Sequence, residues 1–295
     1  MKVFITGGSG FVGREIIHQL LAQNHEVRAL VRQADSLENI AEIETVIGDT
    51  TQPESLNDKL AGCAAVIHLV GIIREFRGRG ISFDQRHRQS TQNVLQAAQE
   101  QGVQRYLQMS ANGTRENAVS GYHHTKWQAE ELVRQSMLDW TIFRPSLIFG
   151  PQDMFVNMLA QLIKALPVTP VMGDGQYLLQ PVHVSDVAQS FVAALNKPET
   201  RGKTYACCGP ETFSYNQILD LIGKALGLSR VRKIHQPLCL MKPLVGLLQA
   251  IPLFPMTSDQ LQMLLEGNVC KDNHWVDDFA LELTEFAAGI QAYLK

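Results

Sequence analysis

Residues 6–13 read Thr6-Gly7-Gly8-Ser9-Gly10-Phe11-Val12-Gly13, and this stretch decides the fold. It follows the apolar run 3–5 and precedes residues 11–22, whose apolar positions have helical spacing. A glycine-rich turn between a strand and a helix presents backbone N–H groups at the helix N-terminus, where the helix dipole favours a phosphate. The glycines permit a tight turn, close approach of a pyrophosphate and packing of helix on strand. We therefore predict a dinucleotide site at residues 7–13, with a plain tight loop as the alternative.

Apolar runs and amphipathic stretches alternate through the first 150 residues. The runs predict buried strands at 3–5, 27–31, 45–47, 65–70, 106–109 and 141–143. The stretches between them predict helices at 11–22, 54–60, 83–101 and 122–137. Apolar strands that alternate with helices are typical of a parallel sheet covered on both faces. The pattern predicts an α/β fold with a Rossmann doubly wound parallel sheet.

The pattern changes after Gly150 and Pro151. Helical stretches then dominate, at 155–165, 186–195, 214–226 and 258–266. We predict an NAD(P)-binding domain over residues 1–150 and a small, mostly helical substrate or cap domain over 151–295. About residues 181–195 of the second half are expected to return to the sheet.

Charge and composition exclude some classes of function. The 26 Lys and Arg against 29 Asp and Glu give a net charge of −3, which argues against nucleic acid as a partner. Five cysteines without metal-ligand spacing predict neither a disulfide framework nor a structural zinc, and Cys207 and Cys208 are interpreted as a buried apolar pair. A reducing, cytoplasmic compartment is expected. Five arginines indicate an anionic ligand or a solvated loop: Arg74, Arg77, Arg79, Arg86 and Arg88.

An apolar segment covers residues 237–255. The longest uncharged stretch here, residues 243–258, is shorter than the about 20 apolar residues that a spanning helix needs and is broken by Pro252 and Pro255. We interpret it as ordinary packing of the cap, with a lid over a lipid-like substrate or a membrane-docking surface as alternatives. Peripheral attachment to a membrane is therefore left open.

The end of the second predicted strand favours NADP over NAD. Val31 stands where NAD sites carry an acid for the ribose hydroxyls, and Arg32 follows it. An arginine gives a 2′-phosphate a charge-assisted partner. Asp35 lies beyond the strand, and a solvated Arg32 is the alternative interpretation. NADP is the predicted cofactor, and NAD is the second choice.

Ser110, Tyr122 and Lys126 form a second candidate group. Tyr122 and Lys126 are four residues apart on one helical face, and Ser110 follows the fifth predicted strand. With the G-x-x-G-x-x-G turn, this trio resembles the short-chain dehydrogenase/reductase superfamily, especially its extended and atypical branches. The resemblance implies that Tyr122 exchanges a proton with the substrate oxygen, Lys126 holds the nicotinamide ribose, and Ser110 orients the substrate. The Ser110–Tyr122 interval is shorter than in the sugar epimerases and dehydratases of the extended branch.

Other landmarks match the same superfamily. Asp49 resembles its adenine-contacting acid, Val70 and Gly71 resemble the segment under the cofactor ribose, and Pro145 lies in a matching F-R-P-S run. A helix cap at Asp49 and a plain turn at Gly71 are the alternatives. His87 stands where most extended members have Asn.

Taken together, the motifs resemble the atypical branch that contains the nucleotide-binding accessory subunit of mitochondrial complex I and its bacterial relatives. The resemblance implies an NADP(H)-binding oxidoreductase or epimerase/dehydratase that moves a hydride to or from a small molecule, related to quinones or sugar nucleotides. The alternative is a non-catalytic accessory or assembly protein that holds NADPH and contacts a respiratory complex. No metal is expected, because His123 and His124 have no carboxylate or Cys at ligand spacing.

Overall fold

The computed structural model describes residues 1–40, 42–249, 251 and 256–294. Its strands are β1 (Lys2–Thr6), β2 (Glu26–Val31), β3 (Ile43–Ile47), β4 (Ala65–His68), β5 (Arg105–Met109), β6 (Asp139–Pro145), β7 (Ile148–Phe149), β8 (Thr169–Met172), β9 (Leu178–Leu179), β10 (Val182–His183), β11 (Lys203–Cys207), β12 (Phe213–Ser214) and β13 (Lys233–Gln236). Its α-helices are α1 (Phe11–Ala22), α2 (Ser90–Glu100), α3 (Gly121–Gln135), α4 (Phe155–Ala165), α5 (Val184–Ala194), α6 (Tyr215–Ala225), α7 (Leu238–Leu248), α8 (Ser258–Glu266), α9 (His274–Phe279) and α10 (Phe286–Gln291).

The chain divides into two compact units. The first contains Met1–Pro145, Ser185–Cys207 and His274–Leu281. The second contains Ser146–Val184, Cys208–Asn273 and Glu282–Lys295, of which Lys295 lies outside the described residues. The assignment of cofactor and substrate roles to the two halves of the sequence stays a prediction.

A seven-stranded parallel sheet forms the centre of the first unit, in the order β11-β6-β5-β4-β1-β2-β3. The predicted doubly wound fold is confirmed. The strand order reverses at β1, between β2 and β4, and ligands of such sheets bind outside the carboxyl ends of the strands at this switch point. Val3, Phe4 and Ile5 of β1 have no exposed surface, as expected for a strand covered on both faces.

Two predicted helices differ in the structure. Residues 54–60 form no α-helix: a single 3₁₀ turn covers Pro53–Leu56, and the chain then bends through Asp58, whose φ is 60°. That left-handed backbone conformation ends a helix after one turn. The predicted helix 83–101 begins with a π-helical turn over Asp84–Gln89 before α2.

Residues 185–207 join the sheet through β11, a strand that we did not predict. Arg105 is buried and donates hydrogen bonds to the carbonyl oxygens of Asp139 and Ala194 and to the hydroxyls of Thr141 and Thr200, at 2.7–2.9 Å. Burial lowers the pKa of Arg105 to about 10, so it stays protonated at neutral pH. This network fixes α5 and β11 to β5 and β6.

The second unit has three short strand pairs around an apolar core. β7 pairs with β10, β8 with β13 and β9 with β12. Phe149, Leu159, Ile218, Ile222 and Phe286 are among the residues that form its core, contributed by β7, α4, α6 and α10. The predicted mostly helical C-terminal region is confirmed. No helix in the described residues is both long enough and apolar enough to cross a bilayer.

A disulfide joins Cys208 to Cys270, so the interpretation of Cys208 as half of a buried apolar pair is wrong. The two cysteines are 62 residues apart, and their Cα atoms lie 6.0 Å from each other. Spacing in the sequence does not show such a pair, because the fold alone brings the two segments together. Cys63 and Cys207 are buried free thiols, and Cys239 is exposed.

Candidate dinucleotide and active site

The glycine-rich turn leaves the start of α1 open to a ligand. Gly7 adopts φ +75°, a left-handed conformation that suits glycine, and its carbonyl accepts a hydrogen bond from the N–H of Gly10 at 3.1 Å. Gly10 precedes the helix, where no side chain caps the first N–H groups and no acid lies in the first turn. An uncapped helix start of this kind is a ready site for a phosphate.

The glycines of the turn have different steric surroundings. A Cβ on Gly13 would lie 2.4 Å from the carbonyl oxygen of Gly7 and 2.6 Å from the Cα of Gly8. A Cβ on Gly10 would meet only the carbonyl oxygen of Gly7, at 3.2 Å. Gly13 therefore allows the helix to pack on the turn, whereas Gly10 keeps backbone open to the cavity in front of it. This cradle fits the pyrophosphate of a dinucleotide.

A cavity of about 340 Å³ lies at the carboxyl ends of β1, β2 and β4. Among the predicted cofactor residues, those that line it are Gly7, Ser9, Gly10, Arg32, Asp49, Val70 and Gly71. Those that do not line it are Gly8, Phe11, Val12, Gly13, Lys126 and Pro145. Pro145 ends β6, where its carbonyl accepts a hydrogen bond from the N–H of Asn112 at 2.8 Å. The cofactor roles of all these residues stay predictions.

Two arginines near the end of β2 differ in their partners. Arg32 lines the cavity and is exposed, and within the described part of the chain it has no hydrogen bond or ion pair. Arg14 instead donates to the carbonyl oxygens of Ser9 at 3.2 Å and Ser36 at 2.8 Å. Asp35 lies in a separate 3₁₀ turn and is exposed. Arg32 is therefore available to an anionic group in the cavity.

Asp49 is held by the neighbouring loop and by an arginine. Its carboxylate accepts from Arg86 at 2.9 and 3.1 Å and from the N–H and hydroxyl of Thr51 at 2.9 Å. Burial would raise the pKa of Asp49, but the bonds from Thr51 and Arg86 outweigh it and lower that pKa below its ordinary value. Arg86 also lines the cavity. The only sign in the sequence that Arg86 belongs to this site was its place in the arginine-rich stretch 74–88. The side chain of Arg77, in the same stretch, lies outside what the structure describes.

Lys126 is hydrogen-bonded to the end of β5 and lies close to Gly71, in the loop after β4. Only 2% of its surface is exposed, and its Nζ donates a hydrogen bond to the carbonyl oxygen of Met109 at 3.1 Å. A Cβ on Gly71 would lie 2.9 Å from the same Nζ. Burial lowers the pKa of Lys126 to about 8, and the nearby charge of Glu130 opposes that shift. The ammonium group thus stays protonated at neutral pH beside a residue that lines the cavity.

Tyr122 lies one helical turn before Lys126. Its ring meets those of His87 and Phe83 edge to face, with centroids 5.2 and 5.8 Å apart. Its hydroxyl has no hydrogen bond within the described residues. Burial raises the pKa of Tyr122 to about 12, so the phenol is protonated at neutral pH. It has the proton that a general acid needs.

Ser110 is buried at the end of β5, directly after Met109. Its hydroxyl donates to the hydroxyl of Thr114 at 3.3 Å and not to Tyr122. The structure therefore carries the three predicted catalytic residues on the end of β5 and the first turns of α3, and their catalytic roles stay predictions.

His87 connects the cavity wall to the helix that carries Tyr122 and Lys126. Its Nδ1 lies 2.9 Å from the hydroxyl of Thr125, and its Nε2 lies 3.2 Å from the N–H of Ile72. The same Nε2 lies 3.1 Å from the carbonyl oxygen of Ile72, so both ring nitrogens have polar partners. Burial, aided by the charge of Lys126, holds the pKa of His87 well below its ordinary value, so the ring is neutral.

The π-helical turn over Asp84–Gln89 carries both Arg86 and His87. Turns of this type are often found at functional sites, where the extra residue changes the direction of the side chains. From the sequence, Arg86 was interpreted only as part of an arginine-rich stretch and His87 only as a replacement for Asn, because helical periodicity does not show a π turn.

Comparison with known proteins finds a matching family, a respiratory subunit and a reductase. A family described as NAD(P)H-binding matches residues 7–198. The mitochondrial NADH dehydrogenase [ubiquinone] 1 alpha subcomplex subunit 9 of Arabidopsis thaliana is 28% identical over 293 residues, which cover 95% of this chain and 72% of that protein. The ceramide reductase of Caulobacter vibrioides is 31% identical over 198 residues, or 66% of this chain and 61% of that enzyme.

The fold is also found in sugar-nucleotide enzymes. The structure of UDP-glucose 4-epimerase from Thermotoga maritima with UDP-glucose superimposes with a TM-score of 0.78 over 100% of this chain and 97% of that one. The two sequences are 17% identical, so this likeness shows a common fold and not a common reaction.

Proposed function

The chain belongs to the NAD(P)H-binding family, and from that premise we propose that it is an NADP(H)-dependent oxidoreductase. The observation that carries the proposal is the position of Lys126, whose buried ammonium group lies beside Gly71 at the cavity wall and one helical turn from Tyr122. A protein that only binds the nucleotide has a use for the cation, at the cofactor ribose, but not for a protonated phenol one helical turn away. Their pairing supports hydride transfer coupled to proton transfer.

The chain's own residues divide the work of binding. The N–H groups at the start of α1 would hold the pyrophosphate, and Arg32 would pair with the 2′-phosphate that distinguishes NADP from NAD. Lys126 would donate to the hydroxyls of the nicotinamide ribose. The bound cofactor would supply or accept the hydride.

Tyr122 would supply the proton in the direction of reduction. When the carbonyl carbon of the substrate receives hydride, its oxygen takes the hydroxyl proton of Tyr122, and the carbonyl becomes an alcohol. The charge left on the phenolate would lie on the same helical face as the ammonium group of Lys126, four residues along α3. His87 would keep α3 at the cavity wall through its bonds to Ile72 and Thr125.

We propose an apolar carbonyl compound as the substrate. The chain is similar to a ceramide reductase, and ceramide is a lipid. In addition, the interval between Ser110 and Tyr122 is short, so the loop that shapes the sugar-nucleotide sites of the extended branch is shorter in this chain. A lipid-like ketone or a quinone fits this premise better than a sugar nucleotide.

A non-catalytic accessory role is the second candidate. It is favoured by one observation, the 28% identity to a complex I subunit over 95% of this chain. In that role NADPH would stabilise the first unit, and Tyr122 would have no chemical function.

One experiment separates the two functions. NADPH binding is measured by calorimetry, and NADPH oxidation is followed by absorbance with a panel of long-chain ketones and short-chain quinones. For the enzyme, Tyr122→Phe keeps binding and loses turnover at least about a hundredfold, the size of a general acid's contribution. The control Tyr106→Phe changes another buried tyrosine of the first unit and keeps both. Tight binding without oxidation of NADPH by any compound would favour the accessory role.

A further inference from the structure

Helix α7 exposes apolar side chains to the surroundings of the second unit. Leu240, Leu244 and Leu247 are 66%, 43% and 75% exposed, and their spacing places them on one face of the helix. Val245 is the buried residue of the helix. A helix on the surface of a globular protein normally turns its polar side outward, and α7 does the opposite.

The exposed surface of α7 contains a single polar side chain. Its exposed residues are Cys239, Leu240, Lys242, Pro243, Leu244, Gly246 and Leu247. Ile234 before the helix and Ile251 after it are also exposed. Ala250 and residues 252–255, which belong to the apolar segment recognised in the sequence, lie outside the described residues. A clustered apolar surface of this kind marks an interaction site.

The segment that carries this face is strongly cationic. Between Asp220 and Asp259 the sequence has no acidic residue, although the whole chain has a net charge of −3. The same interval contains five cations, Lys224, Arg230, Arg232, Lys233 and Lys242. Lys233 pairs with Asp220 at 2.6 Å, and the other four are exposed. Charge therefore makes this segment complementary to an anionic surface.

We propose that α7 docks on the surface of an anionic lipid bilayer, lying in the interface plane with its leucines among the acyl chains. Interfacial helices combine an apolar face with flanking Lys and Arg residues, and α7 with its neighbours has both. The exposed residues of α7 include no aromatic side chain and, apart from Lys242, no hydrogen-bonding one. Protein interfaces are enriched in aromatic residues and use several hydrogen bonds, so this surface fits a bilayer better than a protein.

The test uses flotation of the full chain with vesicles. One set is phosphatidylcholine alone, and the other contains about a third phosphatidylglycerol. The variant Leu240→Glu/Leu247→Glu changes the face, and the matched control Met137→Glu/Met154→Glu changes exposed apolar residues elsewhere. We expect binding to the anionic vesicles, a decrease of about tenfold or more in the variant, and no change in the control.

Other outcomes would overturn the proposal. One is a wild-type chain that floats with neither set of vesicles; another is a Leu240→Glu/Leu247→Glu variant that binds as well as the wild type. If the wild type instead forms a dimer by light scattering and the variant is a monomer, the face is an interface between copies of this chain. NADPH binding by each variant serves as the check on folding, and it also separates failure of this proposal from failure of the proposed function.

Discussion

Replacing Gly10 and Gly13 one at a time by alanine separates the binding role of the glycine turn from its packing role. In Gly13→Ala the new Cβ would lie 2.4 Å from the carbonyl oxygen of Gly7, so α1 and the turn must move apart. Overpacking of this size costs about 1–3 kcal/mol. In Gly10→Ala the nearest atom is that same oxygen at 3.2 Å, and φ of −74° suits alanine, so the fold loses less than about 0.5 kcal/mol.

Gly10→Ala is expected to weaken NADPH binding although it has little effect on stability. The Cβ of Gly10→Ala enters the cavity, where backbone would meet the pyrophosphate, and we expect NADPH affinity to fall about 10–100-fold, or about 1.4–2.8 kcal/mol. The midpoint temperature of thermal unfolding should change by less than about 2 °C in Gly10→Ala and decrease by about 3–10 °C in Gly13→Ala. Calorimetric titration and differential scanning calorimetry measure the two quantities. Unchanged NADPH affinity in Gly10→Ala would refute the assignment of the cavity as the cofactor site.

Three further variants test the cofactor choice and the charges of the first unit. Arg32→Ala should weaken the binding of NADPH about tenfold and leave the binding of NADH unchanged, because only the 2′-phosphate would lose its partner. The control is Arg201→Ala, which removes another exposed arginine. An equal loss of affinity for both nucleotides would contradict the role of Arg32. Glu130 has no exposed side-chain surface and pairs with two arginines. Glu130→Ala should therefore lower the free energy of unfolding in urea by about 3 kcal/mol. The control Glu131→Ala, which changes the half-exposed neighbour, should lower it by less than about 0.5 kcal/mol. Burial lowers the pKa of His68 to about 3, so below its ordinary pKa of 6.5 the unfolded chain takes up a proton that the folded chain does not. The free energy of unfolding should thus decrease by up to about 1.4 kcal/mol for each unit by which the pH is lowered from 6 to 4, and this slope should be shallower in His68→Gln. Equal slopes in the two proteins would show that His68 is not buried in the neutral form.

Local patterns were sufficient to predict most of the central sheet. Strands β1–β6 coincide with short apolar runs, and the predicted helix 11–22 has the bounds of α1, because each element has its own periodicity and turn residues. β11 was not predicted; it pairs in parallel with β6, and the network around Arg105 holds Ala194 and Thr200, which precede it in the chain. The disulfide between Cys208 and Cys270 was missed because the fold alone brings the two segments together.

In the candidate site too, local motifs could be predicted from the sequence, whereas contacts between distant segments could not. Gly7 and Gly10 line the cavity, and their part in a glycine-rich turn could be predicted because a motif determines it locally. The contacts of Arg86 and His87 depend on a π-helical turn, which leaves no mark in hydrophobic periodicity. Their partners Asp49 and Ile72 lie in the loops after β3 and β4, so only the folded chain brings these groups together.

Calorimetric titration of NADPH and of NADH into the wild-type protein tests the central claim most directly. We expect binding of one nucleotide per chain in the cavity at the ends of β1, β2 and β4, with NADPH about tenfold tighter than NADH because of Arg32. Binding of neither nucleotide would contradict the assignment of this cavity, and with it the proposed roles of Tyr122 and Lys126.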